Sequence, residues 1–131
     1  MDESKPSYND APIEGMDWML QNLIKLAEQG AEIGVTLTTT GGTVCGNVIS
    51  GKRYLEIVEG KFQRAEGPVA GAMAEWAKAF IPVVSEWNEG GPYFIHLSNV
   101  RMDMAGQLAK TESVWRGNLT HVTGLMFGLP S

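Results

Sequence analysis

The most informative part of the sequence is its C-terminal third, which begins with Tyr93-Phe94-Ile95-His96-Leu97-Ser98-Asn99-Val100. Two further runs follow it: Ser113-Val114-Trp115-Arg116-Gly117-Asn118-Leu119 and His121-Val122-Thr123-Gly124-Leu125-Met126-Phe127-Gly128. Each run combines β-branched and aromatic residues with bounding Asn, Ser or Gly, which is typical of short strands. Residues 102–111, between the first two runs, are predicted as a loop or short irregular segment. The C-terminal third therefore predicts three strands.

A helix and a hairpin are predicted upstream of these strands. Apolar residues recur at steps of three and four over residues 16–29, which places them on one helical face, and Gly30 is a suitable stop. Residues 33–39 alternate between larger apolar and small or polar side chains, as a half-buried strand does. The turn Thr40-Gly41-Gly42-Thr43 then leads into a returning strand over residues 44–49.

Residues 51–89 are predicted to form a helical insertion between the second and third strands. Ser50 can cap a helix over residues 52–62, and Gly67-Pro68 can open a second helix whose apolar positions run over residues 69–87. Pro82 should break that helix, because proline lacks the N–H donor and clashes with the preceding turn. Trp76 and Trp87 are interpreted as core or inter-helix packing rather than as a binding face.

The order of elements predicts an α+β fold. It consists of an N-terminal helix followed by a small five-stranded, mostly antiparallel Sm/SH3-like β-barrel or curled sheet, with the helical insertion between strands 2 and 3. Closure would hide the strand edges that an open sheet exposes. Residues 1–12 are predicted as a flexible leader and residues 13–131 as a single domain.

The composition indicates a globular protein that lacks the positive charge typical of phosphate-binding proteins. The 131 residues are 44% hydrophobic and 19% charged, with a formal net charge of -5, which argues against default binding to phosphate backbones. Cys45 is the single cysteine, so no internal disulfide can form and a reducing compartment is expected. A signal peptide and an apolar run of ~20 residues are both missing, so we expect a cytoplasmic protein without a membrane span.

The sequence offers no motif that supports catalysis, a cofactor or a metal, and the protein is predicted not to be an enzyme. Gly46-x-x-x-x-Gly51-Lys52 nearly matches a phosphate-binding loop, but Arg53 stands where Ser or Thr would hold magnesium, and residues 47–50 read as strand. The residues Cys45, His96 and His121 lack the paired spacing of a metal site.

Trp115 and Arg116 allow two interpretations. Strand alternation places Trp115 in the core and Arg116 in water, and this packing interpretation is preferred. The alternative is that the pair anchors a partner, because Trp and Arg dominate interface energetics.

Several segments together resemble the gas vesicle accessory protein U (GvpU) family. In chain order they are Gly46-Asn47-Val48-Ile49-Ser50-Gly51-Lys52-Arg53-Tyr54-Leu55, Phe94-Ile95-His96-Leu97, Trp115-Arg116-Gly117 and Val122-x-Gly124-x-x-x-Gly128. Cys45 and Leu55 stand where the family pattern has Ser and Phe. The resemblance spans roughly residues 33–128, and the ending Leu129-Pro130-Ser131 departs from the longer polar tail associated with the family.

The resemblance implies a cytoplasmic, non-enzymatic accessory protein that influences gas vesicle formation or clustering through protein–protein contacts. Its partners would be the vesicle shell or other accessory proteins, with self-association left open. His96, Arg101 and Arg116 are the candidate partner-binding residues, because they lie in or beside the matching segments and are expected to be exposed on one sheet. The alternative is an Sm-like nucleic-acid-binding module, which the strand order suggests and the net charge of -5 opposes.

Overall fold

The computed structural model describes residues 16–87, 89–104, 106–111 and 113–129, so the predicted leader lies outside the described residues. Helices and strands follow one another in the predicted order of helix, hairpin, helical insertion and strands. They are α1 Trp18–Glu28, β1 Ile33–Thr39, β2 Gly42–Ile49, α2 Gly51–Arg64, α3 Ala70–Phe80, β3 Phe94–Met104, β4 Gln107–Lys110, β5 Trp115–Asn118 and β6 Val122–Phe127, with a 3-10 turn, Leu119–His121, before β6.

The N-terminal helix α1 begins and ends on residues with defined capping roles. The carboxylate of Asp17 accepts a hydrogen bond from the backbone N–H of Met19 at 2.8 Å, which satisfies one of the unpaired donors of the first turn. Gly30, at φ 103°, takes the left-handed conformation that ends the helix. The buried face of α1, formed by Leu20, Leu23, Ile24 and Ala27, packs on the inner face of the sheet.

The β1–β2 hairpin matches its prediction closely. The strands pair from Ile33 with Val48 to Thr39 with Gly42. In the turn, the hydroxyl of Thr39 donates to the carbonyl of Gly42 at 2.7 Å and accepts from the N–H of Gly41 at 3.1 Å. Side chains that point to the inner face, including Val35, Leu37, Val44 and Val48, are fully or almost fully buried in the core.

The helical insertion forms between β2 and β3 as predicted. The hydroxyl of Ser50 caps α2 by accepting from the N–H of Arg53 at 3.0 Å, and α3 ends at Phe80, two residues before Pro82. The near-match to a phosphate-binding loop is divided between the end of β2 and the first residues of α2. It therefore lacks the open loop of backbone amides that phosphate binding requires.

The sheet corrects the predicted strand count. It has six strands in the order β4-β3-β2-β1-β6, and β5 pairs with the same edge of β3 as β4. The additional strand is β4, which lies in the segment predicted as a loop. Gly106, at φ 82°, allows the turn after β3, and β4 then pairs with residues 101–104. Pairing with the end of β3 in this hairpin makes the segment a strand.

The sheet is curled but not closed into a barrel. In a flat sheet β5 and β6 would lie four strand spacings apart, or about 19 Å, whereas the chain between their ends can span only about 14 Å. The 3-10 turn therefore draws the two edges together. Among the described residues, however, no ladder joins β6 to β4 or β5, so the barrel form of the prediction is not confirmed. In the described part of the chain, no helix has the length and apolar character needed to cross a membrane.

Candidate partner-binding site

A cleft of about 830 Å³ opens between the helical insertion and the end of the sheet where β3 pairs with β5. Its lining is dominated by aromatic side chains from α2, α3, the segment after α3, and the start of β3. These are Tyr54, Trp76, Phe80, Trp87, Tyr93 and Phe94. Six of the eleven aromatic residues in the sequence thus meet in one place. We call this surface the aromatic cleft.

The position of the cleft wall depends on hydrogen bonds from α1. The side-chain amide of Gln21, which is buried, donates to the carbonyls of Gly90 at 2.6 Å and Pro92 at 2.9 Å. These bonds hold the segment that leads into Tyr93 and Phe94. The carboxylate of Glu28 accepts from the N–H of Gly51 at 3.0 Å and so ties the start of α2 to the end of α1. One of the two carboxylates that line the cleft therefore has a structural role.

His96 lies beneath the cleft and is only 4% exposed. Its Nε2 lies 3.0 Å from Nη1 of Arg116, directly across the β3–β5 ladder. Because a guanidinium can only donate, Nε2 must accept, and the proton of the neutral ring is assigned to Nδ1. Burial, followed by the charge of Arg116, lowers the pKa of His96 from 6.5 to about 3. His96 is therefore neutral at physiological pH.

Arg116 carries a fixed positive charge at the cleft wall. Its guanidinium carbon lies 4.0 Å from the centroid of the Phe94 ring, within the range of a cation–π contact. Among the described residues, His96 and Phe94 are the groups found against its guanidinium, and no carboxylate forms an ion pair with it there. The side chain is exposed. Its remaining N–H donors are thus available to an acceptor on a partner.

The structure brings together two of the three predicted site residues. His96 and Arg116 form one hydrogen-bonded pair, whereas Arg101 pairs with Cys45 and Lys110 near the other end of β3. The expected exposure holds for Arg101 and Arg116 and is wrong for His96. The ring of Tyr54, 4.7 Å from the imidazole, and the start of α2 cover His96. Its position thus indicates a role in holding Arg116.

Sequence reasoning missed the aromatic residues of this site. Trp76, interpreted as packing, is 51% exposed, and Phe80 on the next turn of α3 is 46% exposed with its ring 5.3 Å away. The buried side of α3 consists instead of Ala74 and Ala77. The sequence did contain a signal for this arrangement. Two alanines at that spacing allow α3 to pack closely on α2, which leaves the large aromatic residues outside.

The aromatic cleft can bind an apolar group beside an acceptor. Among the described residues, the polar side chains of its lining are those of Tyr, His, Glu, Trp and Arg. In the described ranges no group of three or more His, Cys, Asp or Glu side chains could hold a metal ion. An aromatic surface with one oriented guanidinium is instead typical of the centre of a protein–protein interface.

Comparison with known proteins identifies the family of this chain. Searches of curated proteins and of solved structures gave no significant match. A family model described as "Gas vesicle protein GvpU-like" matches residues 17–130, which is most of the chain and includes α1, both faces of the sheet and every residue of the aromatic cleft. The chain therefore belongs to the GvpU-like family of gas vesicle proteins.

Proposed function

We propose that this protein is a cytoplasmic, non-enzymatic accessory protein that influences gas vesicle formation or clustering through protein–protein contacts at the aromatic cleft. The observation that carries the proposal is the meeting of six aromatic side chains with one oriented, exposed guanidinium. Such residues form the strongest anchors of interfaces. Family membership supplies the vesicle context.

The partner we propose is the vesicle shell or another accessory protein bound to it. An apolar or aromatic side chain of the partner would fill the cleft, while Arg116 would bind a neighbouring carboxylate or carbonyl oxygen. A vesicle shell repeats the same subunit many times. Even a weak contact would therefore gain avidity once several copies of this protein are linked.

Flotation of purified intact gas vesicles tests this function. Protein mixed with vesicles should rise with the floating layer at moderate salt and in the presence of unrelated bulk protein. The variants Arg116→Ala and Trp76→Ala should each weaken co-flotation by roughly tenfold or more, because interface anchors contribute ~2 kcal/mol when truncated.

Two matched controls make the experiment specific to the cleft. Arg101→Ala removes an equal charge from the far end of β3, and Val69→Ala removes an apolar side chain that is 64% exposed and outside the cleft. Both should float like the unmodified protein. Equal loss in Arg101→Ala and Arg116→Ala would indicate general charge attraction and would contradict a specific cleft. Protein that stays wholly in solution would exclude the shell as direct partner.

The nucleic-acid alternative has weaker support. It rested on the strand order of an Sm-like barrel, and the sheet is not closed. The formal net charge of -5 also opposes a phosphate-binding surface. Salt-dependent binding of single-stranded RNA would favour this alternative, whereas the proposed function predicts no binding at low salt.

A further inference from the structure

The outer edge of β6 is an open strand edge, and no residue of β6 lines the aromatic cleft. β6 pairs with β1 along one edge, and no described residue pairs with its other edge. The N–H of Gly128 bonds to the carbonyl of Gly34 at 2.8 Å. In an antiparallel ladder, hydrogen-bonded and non-bonded pairs alternate, so Leu125 and Phe127 direct their backbone N–H and C=O groups outward.

The side chains of β6 lack the features that protect natural strand edges. The sequence Val122-Thr123-Gly124-Leu125-Met126-Phe127 contains no charge and no proline. Met126 is 63% exposed and Phe127 64% exposed, and Leu129 beyond the strand is exposed as well. Isolated edges are normally blocked by Lys, Pro or a covering element. An apolar, uncharged edge with outward-directed backbone groups is suited to pairing with another strand.

A second copy of β6 fits this edge in antiparallel orientation. We place a two-fold axis at Leu125. The outward backbone N–H and C=O of Leu125 then pair with the C=O and N–H of Leu125 in the second copy. Met126 then lies opposite Gly124 and Phe127 opposite Thr123, so each large side chain meets a smaller residue. No like charges come together, because the strand has none.

The opposite edge of the sheet is a poorer partner for β6. It is divided between β4 and β5, which have four residues each and lie end to end along β3. These strands carry Lys110 and Arg116, whose charges would face the apolar side chains of β6. Head-to-tail pairing would therefore give a short and interrupted ladder, whereas self-pairing uses all of β6 and closes as a dimer.

We propose that the protein forms a two-fold symmetric dimer by antiparallel pairing of β6 with β6 of a second copy, centred on Leu125. The dimer itself does not depend on the proposed function. Because no residue of β6 lines the aromatic cleft, pairing through β6 leaves the cleft of each copy accessible. The dimer is therefore bivalent, and only this consequence rests on the proposed function.

The molecular mass in solution of the unmodified protein and of two Phe127 variants tests the proposed dimer. Light scattering over a wide concentration range should show the unmodified protein changing from monomer to dimer. Phe127→Pro removes an outward N–H without removing a bond to β1, and it should remain a monomer with an unchanged far-ultraviolet circular dichroism spectrum. Phe127→Val keeps the N–H and should still dimerise. Monomeric unmodified protein at every concentration, or a dimer unaffected by Phe127→Pro, would overturn the proposal.

Cysteine cross-linking tests the register, since Cys45, the only native cysteine, is buried. Leu125→Cys places two thiols opposite each other at about 5.5 Å between Cα atoms and should give a disulfide-linked dimer. Phe127→Cys places its two thiols roughly 13 Å apart along the strands, too far for a bond, and should remain uncross-linked. Cross-linking of Phe127→Cys without that of Leu125→Cys would overturn the proposed axis.

Discussion

The pairing of His96 with Arg116 requires a neutral imidazole, and this gives the fold a measurable pH dependence. The folded pKa of His96 is about 3, whereas an unfolded histidine titrates near 6.5. Between these values the unfolded chain binds a proton that the folded chain does not. Stability from this group is therefore complete above pH 6.5 and falls as the pH drops toward 3. We expect a loss of up to about 2 kcal/mol between pH 6.5 and 5.

Comparison of two histidine variants isolates this effect. His96→Gln keeps an acceptor for Arg116 but cannot titrate, so its unfolding free energy, measured with urea, should change less over the same pH range. His121→Gln, which replaces an exposed histidine outside this pair, serves as the matched control for the substitution itself. Parallel curves for His96→Gln and the unmodified protein would show that His96 does not titrate on unfolding in this range.

The sequence pattern placed His96 on the correct face of β3, but it did not predict that this face is covered at His96. Alternation with Ile95 and Leu97, which are fully buried, puts His96 on the opposite face, and the prediction took that face as exposed. The cover comes from Tyr54 and Gly51, more than forty positions away in the chain. Periodicity along one strand contains no information about such a contact.

At the scale of elements, the surroundings of two glycines predict opposite effects on stability when a methyl group is added. Gly46 of β2 lies opposite the bulge in β3 at Asn99, which has φ 50°, and a Cβ there would lie 2.5 Å from the backbone oxygen of Ser98. Because backbone must shift, Gly46→Ala should destabilise the fold by roughly 2 kcal/mol. Gly71 of α3 has no atom within 4 Å of such a Cβ, so Gly71→Ala should stabilise the fold by roughly 0.5 kcal/mol.

Thermal and urea unfolding of both glycine variants provides the measurement. A change of the same sign in both would contradict the packing argument.

The bulge in β3 also explains the position of Arg101. Its extra residue shifts the alternation of β3 and places Arg101 on the same face as His96.

Elements whose signals are local were predicted well, whereas β4, whose own residues are not typical of a strand, was not predicted. The first helix, the hairpin and the capped start of α2 depend on periodicity, glycine turns and Ser50, all readable within a few residues. β4 has no such signal. Its four residues, of which Leu108 is partly exposed, become a strand because β3 extends to Met104 and offers an edge. Pairing with the adjacent residues 101–104 of β3 in a hairpin decided this element.

At the scale of the whole molecule, the strand order left closure of the sheet undetermined. Both a closed barrel and a curled open sheet accommodate the short turn Leu119–His121, because either brings β5 near β6. Closure depends on twist and register summed over every strand. The bulges in β3 and at the start of β6 alter that register locally. The open edge of β6, on which dimerisation depends, follows from this outcome.

Bivalency then predicts that vesicle binding and vesicle clustering can be separated. A monomer with an intact aromatic cleft should bind single vesicles but should not bridge two of them. Phe127→Pro should therefore float with vesicles at high protein concentration and fail to cluster them, as judged by light microscopy of the resuspended layer. Arg116→Ala should float and cluster vesicles roughly tenfold less well or worse, and Phe127→Val should do both like the unmodified protein. Clustering by monomeric Phe127→Pro would show that bridging requires a contact other than β6, because the cleft alone gives each monomer a single attachment.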